Sequence, residues 1–173
     1  MKRILIIGNG GAGKTTLSKL LGQKLELPLV HLDELLWQPG WIETERQVFD
    51  RHLSMELEKE KWIIDGNYVR TLPQRLARAD TVIFLDFNRW VCTARVIKRW
   101  LLQDGYQAEG CPHKVDWPFF KYVFAGFAAD IRKRILVQRD KSGPARWITL
   151  KNTRDVEKFL AGASTRDPSQ TNL

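Results

Sequence analysis

The chain has 173 residues, enough to bury one substantial core and short for two average domains. Hydrophobic residues make up 43% and charged residues 28%, which excludes a disordered or membrane-embedded composition. A formal charge of +8 favours polyanionic partners such as nucleotides, nucleic acid or acidic membrane surfaces, without choosing among them. Cys92 and Cys111 are the only cysteines. Cys111-Pro112-His113 supplies two metal-ligating types where a zinc centre wants about four, so both cysteines read as free thiols of a reducing compartment. Lys2-Arg3 is followed by only four apolar residues before Gly8, too few for a signal-peptide core, and no later run approaches a membrane span. The expectation is a cytoplasmic protein.

Taken in order, Arg3 to Ile7 is a continuous apolar strand of the kind buried on both faces of a parallel sheet. Next comes Gly8-Asn9-Gly10-Gly11-Ala12-Gly13-Lys14-Thr15, then a helical segment whose stripe is Leu17, Leu20, Leu21 and Leu25. Strand, glycine-rich turn and helix match the phosphate-binding pattern G-x-x-x-x-G-K-[ST]. Glycine permits the bends that turn successive N–H groups inward onto phosphate oxygens, and the helix start adds its positive end. Lys14 is placed to reach the β- and γ-phosphates, and the Thr15 hydroxyl to ligate Mg²⁺. Gly8 through Thr15, with Thr16, are therefore the expected nucleotide contacts, and ATP with Mg²⁺ the expected cofactors.

After Pro28, Leu29 to Leu32 forms a second strand ending at Asp33. Thr44-Glu45-Arg46-Gln47 fits a capping box, which predicts a helix from Glu45 to about Lys59. Trp62-Ile63-Ile64 is a third strand, ending at Asp65-Gly66, and Thr81 to Leu85 a fourth, ending at Asp86. Asn88 is suited to cap a helix with Trp90, Ala94, Ile97 and Leu101 on one face. A helix from roughly Trp117 to Val137 aligns Phe120, Phe124, Phe127, Ile131 and Ile135, read as core or lid packing, the alternative being a base-stacking platform. Arg146 to Leu150 is the fifth strand, and Asp155 to Leu160 a closing helix.

Ligands of such sheets sit at the carboxyl ends of the strands, where the glycine loop, Asp33, Asp65 and Asp86 all fall. A strand-end carboxylate such as Asp65 can help hold Mg²⁺, and Asp33 can orient or deprotonate an acceptor hydroxyl; each has an alternative as a turn or capping residue. His31 reads as a packed histidine. Arg95 and Arg99, four apart, share a helix face and can point at phosphates, the alternative being a solvated basic face. Arg70 and Arg75 are candidates to hold an anionic acceptor. Trp37 and Trp41 either wall an acceptor pocket or anchor their loop.

The glycine loop, His31-Leu32-Asp33, Trp62-Ile63-Ile64-Asp65-Gly66-Asn67-Tyr68, Leu85-Asp86 and the Arg95/Arg99 helix together resemble nucleoside and nucleotide kinase-like proteins. Over nearly the whole chain to about Leu160 the resemblance is to bacterial adenylate-kinase-like proteins labelled DNA topology modulation or flagellar-regulation proteins. It implies an α/β, three-layer P-loop fold with a five-stranded parallel sheet in the order 2-3-1-4-5. It also implies helices on both faces and a helical lid over about 101–130. Residues 1–160 would form one domain and 161–173 a flexible tail. Lys14, Arg95 and Arg132 or Arg134 would surround the transferred phosphoryl group. The pattern departs from adenylate kinases after Asp65-Gly66, where Asn67-Tyr68-Val69 precedes the first arginine, Arg70. Asp33 is similar to the strand-end aspartate of shikimate and gluconate kinases. The first expectation is an ATP/Mg²⁺-dependent phosphotransferase acting on a nucleoside, nucleotide or other small hydroxyl compound, with Lys14, Asp33, Arg95 and Arg99 carrying the chemistry. The alternative is a nucleic-acid-binding regulator, motivated by the basic segments 89–99 and 132–146 and by the family label. No helix-turn-helix, zinc finger or aromatic RNA-binding motif accompanies those segments.

Overall fold

Ile4, Leu5, Ile6 and Ile7 have no exposed surface, and the sheet is built outward from this strand. In the computed structural model, which describes residues 1–102, 109–111, 117–141 and 143–163, the strand is β1 (Arg3–Gly8). The others are β2 (Leu29–His31), the short pair β3 (Trp37–Gln38) and β4 (Ile42–Glu43), β5 (Trp62–Asp65), β6 (Thr81–Leu85) and β7 (Arg146–Leu150). The large sheet is parallel throughout, in the order β2-β5-β1-β6-β7. Counted among its own strands this is the expected 2-3-1-4-5. The separate antiparallel hairpin β3–β4 is an addition, too short to leave a period in the sequence.

Alternate residues of β1 feed two cores. Ile4 and Ile6 pack with Leu17, Leu21 and Leu25 of α1 (Lys14–Leu25). Leu5 and Ile7 pack with Phe49, Leu53 and Leu57 of α3 (Arg46–Glu58) and with Ile135 of α7 (Arg132–Lys141). A sheet buried on both faces by helices is the three-layer solution for apolar strands with no polar side. The remaining helices are α2 (Leu32–Leu36), α4 (Leu72–Arg78), α5 (Arg89–Leu102), α6 (Trp117–Lys121) and α8 (Thr153–Gly162). Between α6 and α7 the chain continues as a π-helix over Tyr122–Ile131. No helix among the described residues is long and apolar enough to cross a membrane.

Three local expectations are corrected. The capping box at Thr44 does not form: α3 begins one residue later, and the Thr44 amide is used to close the hairpin loop onto the Leu36 carbonyl at 2.7 Å. The face of α5 carrying Trp90, Ala94, Ile97 and Leu101 is exposed, while Cys92, Thr93 and Val96 are buried. The reason is close approach to the glycine loop, since a Cβ at Gly11 (φ 76°) would stand 2.4 Å from the Cys92 carbonyl oxygen. On the long helix the buried positions are Val123, Phe127 and Ile135, whereas Phe124 meets Trp90 edge-on and Phe120 stacks on Trp117 outside the core. Phe120 and Phe124 are half-buried, and their ring partners Trp117 and Trp90 are exposed. Asn88 does cap α5, its Oδ1 accepting from the Trp90 amide at 2.9 Å.

Candidate active site

The loop between β1 and α1 opens on a cavity of about 1150 Å³ at the carboxyl ends of the strands. Residues Gly10 to Thr16 form one wall. Gly13, at φ 95° and with no atom within 4 Å of where a Cβ would stand, is a bend that glycine alone adopts without strain. Lys14 Nζ donates to the Gly8 and Asn9 carbonyls at 3.0 and 3.1 Å. Burial lowers its pKa, while Asp33 and Asp65 raise it and Arg99 lowers it further. An ammonium held by carbonyls in a dry loop is poised for exchange onto a stronger anionic partner.

Asp65 is buried at the end of β5, with Oδ2 2.6 Å from Ser18 Oγ and 2.8 Å from His31 Nδ1. His31 is thus packed, as expected, and its packing fixes the carboxylate. The second strand ends at His31, one residue earlier than expected, so Asp33 is the second residue of α2; it lines the cavity, and its Oδ1 accepts from the Tyr68 hydroxyl at 2.6 Å. Burial, then the Asp33 charge and hydrogen bond, push the Tyr68 hydroxyl far above its ordinary pKa, so it remains a donor. Trp37 and Trp41 also line the cavity, in edge-to-face contact at 5.5 Å, so they wall it.

Arg95 and Arg99 both reach the cavity from α5. Arg95 lies over the Phe87 ring at 5.0 Å, donating to Thr153 Oγ1 at 2.9 Å. Arg99 has its pKa lowered by burial and raised by Asp33. The other arginines are engaged elsewhere. Arg70 makes a two-pronged pair with Asp50 at 2.9 and 2.6 Å. Arg75, fully buried, donates to the carbonyls of Gly66 and Tyr68 at 2.8 and 2.9 Å and also to that of Asn67. Neither holds an acceptor. Arg132 clamps Asp86 through two 2.7 Å bonds, and Arg134 pairs with Asp130, so neither stands at the cavity. Of the basic segments 89–99 and 132–146, Arg95 and Arg99 line the cavity, Arg132 and Arg134 form ion pairs, and Arg89 lies over the Trp90 and Phe124 rings.

Several residues bond at the site in ways the sequence did not assign. Asn67 Oδ1 accepts from the Gly8 amide at 3.0 Å, and its Nδ2 donates to the Tyr122 hydroxyl at 2.8 Å. Asn9 Nδ2 donates to the Val123 carbonyl at 2.8 Å. These bonds tie the glycine loop to the π-helical segment, a link across more than a hundred positions that no local pattern announces. Ser18 and Thr153 were equally silent. Cys111 Sγ donates to the Gln38 carbonyl, and a Cβ at Gly110 would touch Pro39. Pro112 and His113 lie outside the described residues.

No protein-family model matches this chain, and neither does any curated protein. Solved structures do. Shikimate kinase from Bacteroides thetaiotaomicron superposes with a TM-score of 0.56 at 19% identity, covering 92% of this chain and 94% of that one. Shikimate kinase from Aquifex aeolicus gives 0.56 at 21%, covering 92% and 91%. A sugar kinase from Janibacter sp. HTCC2649 gives 0.56 at 16%, covering 93% of each. At such identities the likeness is one of fold, and the fold of this chain is the P-loop kinase fold.

Proposed function

We propose that the protein is an ATP- and Mg²⁺-dependent phosphotransferase acting on the hydroxyl of a small molecule. The observation that carries this reading is that one cavity is lined both by the glycine loop with Lys14 and by the Asp33 carboxylate with Trp37, Trp41 and Tyr68. Shikimate and sugar kinases share the architecture. ATP fits the loop: the Gly13 bend leaves open space, and the Lys14 ammonium is held by the backbone carbonyls of Gly8 and Asn9. Mg²⁺ fits too. Thr15 and Asp65 line the same wall, and no cluster of three or more acidic, His or Cys side chains exists among the described residues. An ion that takes most of its ligands from phosphate and water needs no such cluster. When bound, it neutralises charge developing on the phosphoryl oxygens.

The chain's own residues then do the following. Lys14 leaves the Gly8 and Asn9 carbonyls for the β- and γ-phosphates. Asp33, held by Tyr68, accepts the proton of the acceptor hydroxyl as its oxygen approaches phosphorus. Arg95 and Arg99 stabilise the negative charge in transit. Of the lid expected over about 101–130, residues 103–108 and 112–116 lie outside the described residues, and Val123 and Phe127 belong to the core. Asp65 is held by Ser18 and His31 as the carboxylate on the metal's side. Single-turnover transfer from ATP in the presence of Mg²⁺ tests the reading. Lys14→Ala is expected to lose at least about a hundredfold in rate, and an unchanged rate overturns it.

A further inference from the structure

Two strands and a helix meet at the Asp65 carboxylate. His31 and Asp65 stand opposite each other on the adjacent parallel strands β2 and β5, so their side chains leave the same face of the sheet. Ser18 reaches that face from α1, about one turn beyond Thr15. Both partners bond to the same carboxylate oxygen: Ser18 Oγ lies 2.6 Å and His31 Nδ1 2.8 Å from Asp65 Oδ2. A carboxylate only accepts, so each partner donates and Nδ1 carries an imidazole proton. All three residues are buried. Ser18 Oγ also lies 3.0 Å from the Thr15 carbonyl, which ties the start of α1 to the end of β5. The other oxygen, Oδ1, takes no hydrogen bond from any described residue, although Asp65 lines the cavity as Thr15 does.

Two donors on Oδ2 stop the carboxylate from turning to present both oxygens to one ion. That restricts the choice of cation. Ca²⁺ takes about six to eight oxygens and accepts a carboxylate through both of its oxygens, whereas Mg²⁺ keeps to octahedral positions and retains several waters. Building on the phosphotransferase reading, we infer that His31 and Ser18 are positioning residues: they make Asp65 a one-oxygen partner for the nucleotide's cation and so select Mg²⁺ over Ca²⁺.

The test titrates a non-hydrolysable ATP analogue calorimetrically into the full chain without divalent cation, with saturating Mg²⁺ and with saturating Ca²⁺. The wild type is expected to bind the Mg²⁺ complex at least about tenfold more tightly than the Ca²⁺ complex. His31→Leu frees Oδ2 from one donor, and the preference is expected to fall to about twofold or less. Ser18→Ala should lower it in the same direction. His31→Asn, whose Nδ2 stands where Nδ1 stood, should restore it. A residue that only supports the sheet would weaken all three titrations together and leave the ratio between cations unmoved. The cation-free titration is the fold check for each variant, and Ser18→Ala, which removes a single oxygen, decides the matter where His31→Leu does not fold. Equal binding of both cation complexes by the wild type overturns the inference, and so does an unchanged preference in a folded variant. Failure of the analogue to bind the wild type, or its indifference to Lys14→Ala, overturns the phosphotransferase reading and this inference with it.

Discussion

Arg75 carries a guanidinium with no exposed surface and no carboxylate beside it, and burial lowers its pKa to about 9. Its partners are the carbonyls of the turn that supplies Asn67 and Tyr68 to the site. Arg75→Met leaves those oxygens buried without donors, so a loss of about 3 kcal/mol is expected in urea unfolding. Asp80 shows the converse. Burial alone would raise its pKa, but bonds from Thr81 and from the Arg3 and Lys2 amides outweigh it and lower the pKa below 3.8. A lowered carboxylate pKa stabilises the fold above the unfolded value and loses that contribution as pH falls through the folded one. Asp80→Asn should therefore cost about 1–2 kcal/mol at neutral pH, and unfolding curves of the two proteins should converge as pH drops below about 4. The candidate residues themselves were readable from the sequence: Lys14, Asp33, Asp65, Arg95 and Arg99 all line one cavity. The partners of arginines were not, since Asp50 and Asp86 are brought to Arg70 and Arg132 only by tertiary packing.

The same distinction appears among whole elements. Strands announced themselves as apolar runs, and the 117–141 helix by its length. The side that α5 buries did not, because the deciding contact is Gly11 against the Cys92 carbonyl and not the number of apolar side chains. The ten-residue π-helix was equally illegible, since its sequence carries an ordinary helical composition. It has a consequence for reach. Val123 meets Asn9, and nine residues later Arg132 meets Asp86, two anchors at the ends of adjacent strands. In α geometry nine residues make about two and a half turns and face opposite ways. Wider i→i+5 turns bring the two anchors round to the same side. Deleting Ala125 should restore α spacing and release one anchor. The deletion is expected to cost about 2 kcal/mol or more, with Arg132→Ala then adding little in a double-mutant cycle. Asn9→Ala, which removes only the first anchor, should speed amide hydrogen exchange over Tyr122 to Phe127 more than in β1 or β6.

At the scale of the molecule, topology was legible because strands buried on both faces admit few arrangements. Ligand binding should act on the whole fold. An ATP analogue at a hundred times its Kd should stabilise the protein by about 2.7 kcal/mol, a shift in thermal unfolding that Lys14→Ala should abolish. The position of β1 has a temporal consequence as well. Its neighbours are β5 and β6, so Ile4 pairs with Ile63 and Thr81, and the outer strand β7 begins only at Arg146. During synthesis β1 therefore emerges ahead of its partners, which lie some sixty and eighty residues downstream. At translation speeds of roughly 5–20 residues per second that interval lasts seconds. Nascent β1 is thus an apolar segment left unpaired for that interval, and refolding from denaturant should be slow for a domain of this size, governed by loop closure more than by helix formation.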